Sequence, residues 1–253
     1  MTAPTIHIQN ASLAYGKTQV FANINLVLPA GKWVSLLGPS GIGKSSLLRM
    51  ICGLIDPRES VRGTITAGNH LPVSQQIAYM AQTDLLLPWL TVLENATLGL
   101  KLRGIPSGQY NSLSDKARDL LDKAGLHQAT HLYPRQLSGG MRQRVALVRT
   151  LMEDKPIVLM DEPFSALDAI TRYKLQHLAA ELLRNKTVFF ITHDPTEALR
   201  LSDDIYIMQG FPATLKPIAS LVSAAPRELT NREVIDLQAL LFQELSQAAG
   251  EAA

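Results

Sequence analysis

The sequence contains a single cysteine, Cys52, among its 253 residues. A disulfide framework within the chain is therefore impossible, and the composition suits a reducing compartment. No stretch approaches the ~18 uninterrupted apolar residues that a membrane-spanning helix needs. The N-terminus lacks a basic region followed by an apolar run, so we expect no signal peptide.

An excess of charge of one sign is also lacking. The 24 basic and 22 acidic residues leave a formal net charge of +2. Nucleic-acid-binding domains usually concentrate basic residues on one face, so this balance predicts no nucleic-acid partner. Hydrophobic residues make up 46% and charged residues 18%, which excludes a disordered chain or a coiled coil. We expect one folded domain spanning residues 1–253.

Hydrophobic periodicity predicts an α/β fold. Alternating apolar residues indicate two N-terminal strands, which form an antiparallel β subdomain, and short apolar runs indicate buried strands separated by helices. Such strands are typical of a mostly parallel sheet that is covered on both faces. The predicted strands are 6–13, 19–28, 33–37, a short strand at Ile65, 77–80, 157–160 and 187–192, and the predicted helices are 45–52, 137–152 and 171–184.

The segment 85–135 differs in character and predicts a helical insertion. Helical periodicity covers residues 91–103 and 113–124, and Ser112 with Asp115 resembles a capping box for the second helix. We therefore expect a core formed by residues 1–84 and 136–210, interrupted by this insert.

The C-terminal tail, residues 211–253, predicts one further helix. Thr230 and Glu233 have the spacing of a capping box, and apolar residues follow at helical intervals. We expect that apolar face to pack on the body of the domain; it consists of Val234, Leu237, Leu240, Leu241 and Leu245.

A glycine-rich loop carries the strongest chemical signal. Residues 38–45 match the phosphate-loop pattern G-x-x-x-x-G-K-[ST] in full, between a predicted strand and a predicted helix. Backbone N–H groups of such a loop surround phosphates, the lysine reaches the β- and γ-phosphates, and the hydroxyl after it ligates Mg²⁺. The predicted ATP-binding residues are Gly38, Pro39, Ser40, Gly41, Ile42, Gly43, Lys44, Ser45 and Ser46.

Two carboxylates follow a buried strand further along the chain. Residues 157–160 are apolar, and Asp161 and Glu162 come directly after them. In phosphate-loop enzymes an aspartate at such a strand end holds Mg²⁺, so Asp161 is predicted to be a metal ligand. Glu162 is then placed to orient and deprotonate the attacking water.

Between these two motifs lies the run Leu-Ser-Gly-Gly-Met at residues 137–141. Many nucleotide hydrolases share a phosphate loop and an acidic strand end, but not this run. Here the chain resembles the ATP-binding subunits of ABC transporters. Met141 stands where this family often has glutamine, and we expect the run still to bind phosphate.

The resemblance extends over residues 6–209 and implies further site residues in the same order as in the family. Tyr15 matches the aromatic residue that stacks on adenine. Gln82 matches the glutamine at the start of the insert, which takes part in catalysis and binds Mg²⁺. Asp168 matches the end of the loop after Glu162, and His193 matches the catalytic switch histidine.

The resemblance also implies a homodimer and its partners. Two subunits face head to tail and sandwich two ATP molecules, so Ser138, Gly139, Gly140, Met141 and Asp168 serve the ATP bound by the other subunit. Integral membrane permease subunits would receive the mechanical output at the apolar residues 85–90. A periplasmic or lipid-anchored substrate-binding protein would complete the complex. This subunit itself would be peripheral, on the cytoplasmic side of the bacterial inner membrane.

Residues 86–92, 137–144 and 165–172 resemble the corresponding segments of bacterial importers of nitrate, taurine and sulfonates, a group that includes importers of pyrimidine precursors of thiamine. An ABC exporter subunit and a soluble ABC ATPase of DNA repair or translation are the alternatives. Repair ATPases carry long coiled-coil insertions and translation factors carry two cassettes, and this chain shows neither. Arg135, Arg142, Arg144 and Arg149 form a local basic bias, which we interpret as a solvated helix face paired with acidic neighbours.

Overall fold

The chain folds into alternating strands and helices; a computed structural model describes residues 3–251. The strands are β1 (Ile6–Tyr15), β2 (Thr18–Leu28), β3 (Trp33–Leu37), β4 (Ser60–Ala67), β5 (Ile77–Met80), β6 (Ile157–Asp161), β7 (Thr187–Ile191), β8 (Asp204–Gln209) and β9 (Thr214–Ser220). The helices are α1 (Lys44–Cys52), α2 (Val92–Ala96), α3 (Leu98–Leu102), α4 (Ser107–Lys123), α5 (Gly139–Leu151), α6 (Ala169–Leu182), α7 (Pro195–Leu201) and α8 (Arg232–Glu251).

These elements belong to two compact units. The first unit is drawn from Met1–Ile77, Pro156–Glu162 and Arg184–Ala253, and the second from Ala78–Lys155 and Pro163–Leu183. Within the described range, no helix is both long enough and apolar enough to cross a membrane.

The first unit contains two layers of strands. An antiparallel sheet has the order β2-β1-β4, with Ile6 paired to Leu28 on one side and to Ala67 on the other. A second sheet runs β6-β7-β3-β8-β9 within this unit. Its pairs are parallel except for β8 with β9. Strands β3, β6 and β7 are buried at every residue, because helices cover parallel strands on both faces. The predicted fold class and the N-terminal antiparallel layer are confirmed.

Helix α8 packs on the first unit, as its apolar periodicity predicts. Val234 and Leu241 are buried in a cluster with Leu199 and Ile207, whereas Leu240 of the predicted apolar face is exposed.

The predicted capping box at the start of α8 is wrong. Asn231 rather than Thr230 is the cap, since its Oδ1 accepts a hydrogen bond from Glu233 N at 2.9 Å. The Glu233 carboxylate instead accepts hydrogen bonds from the main-chain N–H groups of Val222 and Ser223. It is therefore engaged with the preceding loop and does not reach back to a cap.

In the second unit the helix predicted over residues 91–103 is two short helices, α2 and α3, separated at Thr97. Helix α2 begins with a capping box in which Thr91 and Glu94 bond each other's main-chain N–H groups. The Thr97 hydroxyl donates to Leu93 O at 2.9 Å, a local bond of the kind by which threonine competes with regular helix.

Helix α4 begins at Ser107, six residues before the predicted start, so Ser112 lies inside the helix and is not a cap. Pro106 precedes the first turn, and its carbonyl oxygen accepts hydrogen bonds from Gln109 N and Tyr110 N. Tyr110 Oη lies 3.3 Å from Thr97 Oγ1, which anchors the additional turn.

Thr91 and Ser112 provide a matched test of these two helix starts. Thr91→Ala removes the cap of α2 and should lower the free energy of unfolding by about 1 kcal/mol, measured by urea denaturation. Ser112→Ala should change it by less than about 0.5 kcal/mol, because this exposed residue caps nothing. Equal losses for the two variants would contradict the assignment of the caps.

Candidate functional site

The phosphate loop joins the carboxyl end of β3 to the start of α1. Gly38 has φ +143°, and a Cβ there would lie 2.4 Å from Met208 O. Gly43 has φ +113°, and a Cβ there would lie 2.6 Å from Val20 Cγ1. Both positions therefore require glycine. Gly43 is the N-cap of α1 and offers no side-chain cap, so the first N–H groups of the helix have no side-chain acceptor at the cap and suit an anion.

The Lys44 ammonium lies over this loop. Its Nζ donates to Gly38 O and to Pro39 O, both at 2.7 Å. Burial lowers the pKa of Lys44, while the charges of Glu162 and Asp161 raise it. The side chain thus presents a largely dehydrated cation to the space between the loop and the acidic strand end, where it would attract phosphate strongly.

Strand β6 ends at Asp161, whose carboxylate lies near the Lys44 ammonium. The side chain is 2% exposed, and its Oδ1 has no hydrogen-bond partner among residues 3–251. Burial raises the pKa of Asp161, and a hydrogen bond with Ser45 lowers it. A buried carboxylate oxygen without a partner beside a serine hydroxyl is a donor set that fits Mg²⁺, which prefers oxygen ligands.

Glu162 follows in a left-handed main-chain conformation, with φ +49°. Non-glycine residues rarely adopt it, and such strain is concentrated at functional sites. The main-chain N–H of Glu162 donates to Ile191 O at 3.0 Å, which fixes the turn. Glu162 Oε2 lies 3.3 Å from His193 Nδ1, so the predicted base and the predicted switch histidine are in contact.

Tyr15 is the last residue of β1 and lies beside α1. Its hydroxyl donates to Ser46 Oγ at 3.2 Å. The side chain is 38% exposed, which leaves part of the ring open to a stacking partner. The first unit therefore brings together Tyr15, the loop residues 38–46 (with Ser40, Gly41 and Ile42), Asp161, Glu162 and His193.

The second unit holds Gln82, the run at residues 137–141 and Asp168. Ser138 is the N-cap of α5, and its Oγ accepts from Met141 N at 3.2 Å. A Cβ at Gly140 would lie 3.0 Å from Ala166 O, so the glycine permits a close approach to the loop before α6. Asp168 caps α6 by accepting from Thr171 N, and these bonds lower the pKa of Asp168.

One residue of this region had no role in the sequence analysis. Gln143 is buried on α5, and its Oε1 accepts from Ala166 N at 2.8 Å while its Nε2 donates to Ser165 Oγ at 3.3 Å. It tethers the loop that ends at Asp168 to the helix that begins after Ser138. The signal available in sequence was a polar residue on the apolar face of an amphipathic helix.

The arginines of α5 only partly match their interpretation as a solvated, acid-paired face. Arg142 does pair with Asp84, with Nε and Oδ2 2.9 Å apart. Arg149 instead donates to the main-chain oxygens of Asp84 and Leu85, and burial lowers its pKa. Arg144 likewise donates to Ala124 O at 2.8 Å. For Arg144 and Arg149 the expected acidic side chains are replaced by carbonyl oxygens.

Comparison with known proteins matches this arrangement to one family. The family model described as ABC transporter matches residues 21–165. An uncharacterized ABC transporter ATP-binding protein of Haemophilus influenzae is 44% identical over 95% of this chain and 98% of its own length. The chain belongs to the ABC transporter family of ATP-binding proteins.

Other ABC proteins extend the comparison. The aliphatic sulfonates import ATP-binding protein SsuB 1 of Paracoccus denitrificans is 36% identical over 96% of this chain and 94% of its own length. A solved dimeric ATP-binding cassette in a post-hydrolysis state, bound to ADP and Pi, is 29% identical with a TM-score of 0.72, covering 85% of this chain and 100% of that one. The predicted phosphate-loop hydrolase fold is thereby confirmed.

Cys52, at the end of α1 in this ABC chain, provides a test of the packing behind the phosphate loop. Burial raises the pKa of its thiol to about 12. At pH 8 the thiolate fraction should be on the order of 10³-fold below that of an exposed cysteine, so alkylation by iodoacetamide should be correspondingly slow. Mass spectrometry of native protein against protein in guanidinium checks this. Comparable rates in the two states would show that the Cys52 thiol is not shielded from solvent in the folded protein.

Proposed function

We propose that this chain is the ATP-hydrolysing subunit of a bacterial ABC importer and works as a head-to-tail homodimer. The observation that carries the proposal is the convergence of Lys44, Asp161, Glu162 and His193 at the end of buried parallel strands, in an ABC family chain. The importer assignment draws support from relatives named for import of aliphatic sulfonates and of sulfate/thiosulfate, which are 36% and 41% identical.

The first unit supplies most of each ATP site. Tyr15 stacks on adenine, and the loop N–H groups with Lys44 bind the phosphates, Lys44 exchanging loop carbonyls for phosphate oxygens. Ser45, Asp161 and Gln82 would hold Mg²⁺, which when bound neutralises charge on the phosphates. Positioning and electrostatics then account for most of the rate enhancement.

Glu162 acts as the general base toward the attacking water in this proposal. His193 contacts the Glu162 carboxylate and so restricts its orientation. The left-handed conformation of Glu162 interrupts the extended main chain of β6 directly after Asp161. Asp161 can thus bind the metal ion while Glu162 accepts the proton from the attacking water.

The partner subunit supplies the remainder of the site. Ser138, Gly139, Gly140 and Met141 lie at the N-terminus of α5, where the helix dipole and the first main-chain N–H groups favour the γ-phosphate of the other subunit's ATP. Asp168 approaches from the neighbouring loop. Because Gln143 ties that loop to α5, the two partner-facing segments move together.

The output surface is proposed to be the segment 85–90. Leu85 and Trp89 are 62% and 69% exposed, and contiguous exposed apolar residues usually mark contacts. Arg149 holds the Leu85 carbonyl oxygen, so this segment is tied to α5. We propose residues 85–135 as the helical subdomain that receives the permease, with residues 1–84 and 136–210 as core and 211–253 as tail.

The remaining parts of the assembly follow from the importer group. Integral membrane permease subunits hold this peripheral subunit on the cytoplasmic side of the bacterial inner membrane, and a periplasmic or lipid-anchored binding protein supplies the solute. The solute is a small anion of the nitrate, taurine or sulfonate type, or a heterocyclic pyrimidine precursor of thiamine.

The role of Glu162 can be tested by removing only its charge. Glu162→Gln should lower kcat for ATP hydrolysis by at least ~10²-fold while MgATP still binds, because the amide keeps the shape but cannot accept the proton. Lys44→Ala is the contrasting variant, since it should weaken MgATP binding itself in a fluorescence titration. Turnover near the wild-type rate in Glu162→Gln would remove Glu162 from the mechanism.

The shared site can be tested through the oligomeric state. Glu162→Gln should form a stable dimer with MgATP, since the bridging γ-phosphate is not removed. Adding Ser138→Arg places bulk and an unpaired charge in the sandwich, so the double variant should bind MgATP as a monomer. Size-exclusion chromatography with light scattering measures this directly.

Ser112→Arg in the Glu162→Gln background is the matched control, because it introduces the same side chain at an exposed position of the second unit. It should dimerise like Glu162→Gln alone. If the double variant with Ser138→Arg also formed the dimer, or if Ser138→Arg alone hydrolysed ATP at the wild-type rate, the composite site would be refuted for this protein.

A further inference from the structure

Arg227, in the C-terminal tail, is a fully buried cation outside the site described above. Its side chain is 0% exposed. Nη1 donates to Ser202 O at 2.7 Å and to Leu199 O at 3.2 Å, and Nε donates to Ser223 Oγ at 2.9 Å. Nη2 donates to Ser223 O, and the main-chain N–H of Arg227 donates to Arg200 O at 2.9 Å.

Three of these acceptors terminate one helix. Leu199, Arg200 and Ser202 lie at the C-terminal end of α7, where carbonyl oxygens lack partners within the helix. A cation at this end also interacts favourably with the helix dipole. Arg227 therefore caps α7 from another part of the chain.

The opposite end of α7 leads directly to the catalytic region. Asp194 caps its N-terminus by accepting from Thr196 N, and His193 is the residue before that cap. The helix has seven residues and is thus about 10 Å long at 1.5 Å per residue. Over two turns a displacement at one end is transmitted to the other with little bending.

His193 depends on its main chain for its position. Its side chain is 63% exposed, so packing does not fix the ring, although it must stay near Glu162 Oε2 at 3.3 Å. Thr192 on one side is buried after β7, and Asp194 on the other begins α7. The position of α7 is therefore one of the two main-chain anchors that orient the His193 ring.

The tail end of this connection is itself anchored. Glu233, in the first turn of α8, accepts hydrogen bonds from Val222 N and Ser223 N and lies 3.8 Å from Arg227 Nε. The network therefore runs from α8 through Ser223 and Arg227 to the end of α7. Every member is a described residue of the first unit.

We propose that Arg227 is a positioning residue for His193: it anchors α7 so that the histidine keeps its contact with Glu162. This inference rests on the proposed function and assigns a role in catalysis to the C-terminal tail. It requires no contact between Arg227 and nucleotide, so its loss should affect turnover rather than binding.

Steady-state ATPase kinetics of Arg227→Met provide the first measurement. Methionine retains most of the length and removes the charge and all side-chain donors. We expect kcat to fall about 5- to 10-fold while KM for MgATP changes by less than about twofold. Arg227→Lys returns a cation with fewer donors and should recover part of the lost kcat.

A double-mutant cycle with His193→Ala separates positioning from a purely structural effect. If Arg227 acts through His193, Arg227→Met should change the residual kcat of His193→Ala by less than about 1.5-fold. Multiplicative effects of the two substitutions would overturn the proposal. Wild-type turnover is measured first, because its absence would contradict the proposed function itself.

Leu28→Ala is the control for lost stability in the first unit. Leu28 is fully buried at the end of β2 and does not belong to the apolar cluster that contains residues of α7 and α8. At a temperature well below both melting transitions it should leave kcat within about twofold of wild type, even if it lowers the melting temperature as much as Arg227→Met does. A loss of kcat equal to that of Arg227→Met would overturn the proposal.

If Arg227→Met does not fold, Ser223→Ala carries the test. It removes the hydroxyl that accepts from Arg227 Nε and leaves the guanidinium in place. A fall in kcat that disappears in the His193→Ala background supports the proposal. An unchanged kcat, or a fall that persists in that background, overturns it.

Discussion

The register of β7 between its two parallel neighbours is the constraint on which the candidate site depends. Ile191 pairs with Leu36 of β3 on one side and with Asp161 of β6 on the other. Its carbonyl oxygen accepts from Glu162 N, and Thr192 N donates to Leu36 O. A shift by one residue would turn each strand's side chains to the opposite face. The phosphate loop, the acidic pair and the histidine are therefore aligned by main-chain bonds in a fully buried layer.

Much of this layer could be predicted because it is governed by local pattern. Fully apolar runs of about five residues indicate buried parallel strands, and glycine requirements at Gly38 and Gly43 are visible as motif positions. Since parallel strands end at a common edge, the functional residues that follow β3, β6 and β7 had to lie near one another. Helix starts were predicted less well, because Ser112 and Thr230 have capping residue types but not the required contacts.

The polar tethers could not be predicted from sequence. Gln143, Arg149 and Arg227 bind main-chain oxygens or amides that are distant in sequence. Neither the residue types nor their spacing predicts such partners. An arginine among alternating charges suggests a carboxylate as its partner. A buried main-chain carbonyl oxygen also requires a hydrogen-bond donor, and an arginine can supply it. Only the three-dimensional arrangement distinguishes these possibilities. The left-handed conformation of Glu162 is of the same kind, since its sequence neighbours do not predict it.

The placement of the two tryptophans has a spectroscopic consequence. Trp33 lies in buried β3 against Phe190, with ring centroids 5.8 Å apart, whereas Trp89 projects from the second unit into solvent. Each unit thus contains one tryptophan, which can be excited selectively over tyrosine, and the two indoles differ in the polarity of their surroundings. Iodide quenches an exposed indole and spares a buried one, so the emission of the intact chain separates into a signal for each unit. No label needs to be introduced to follow the two units individually.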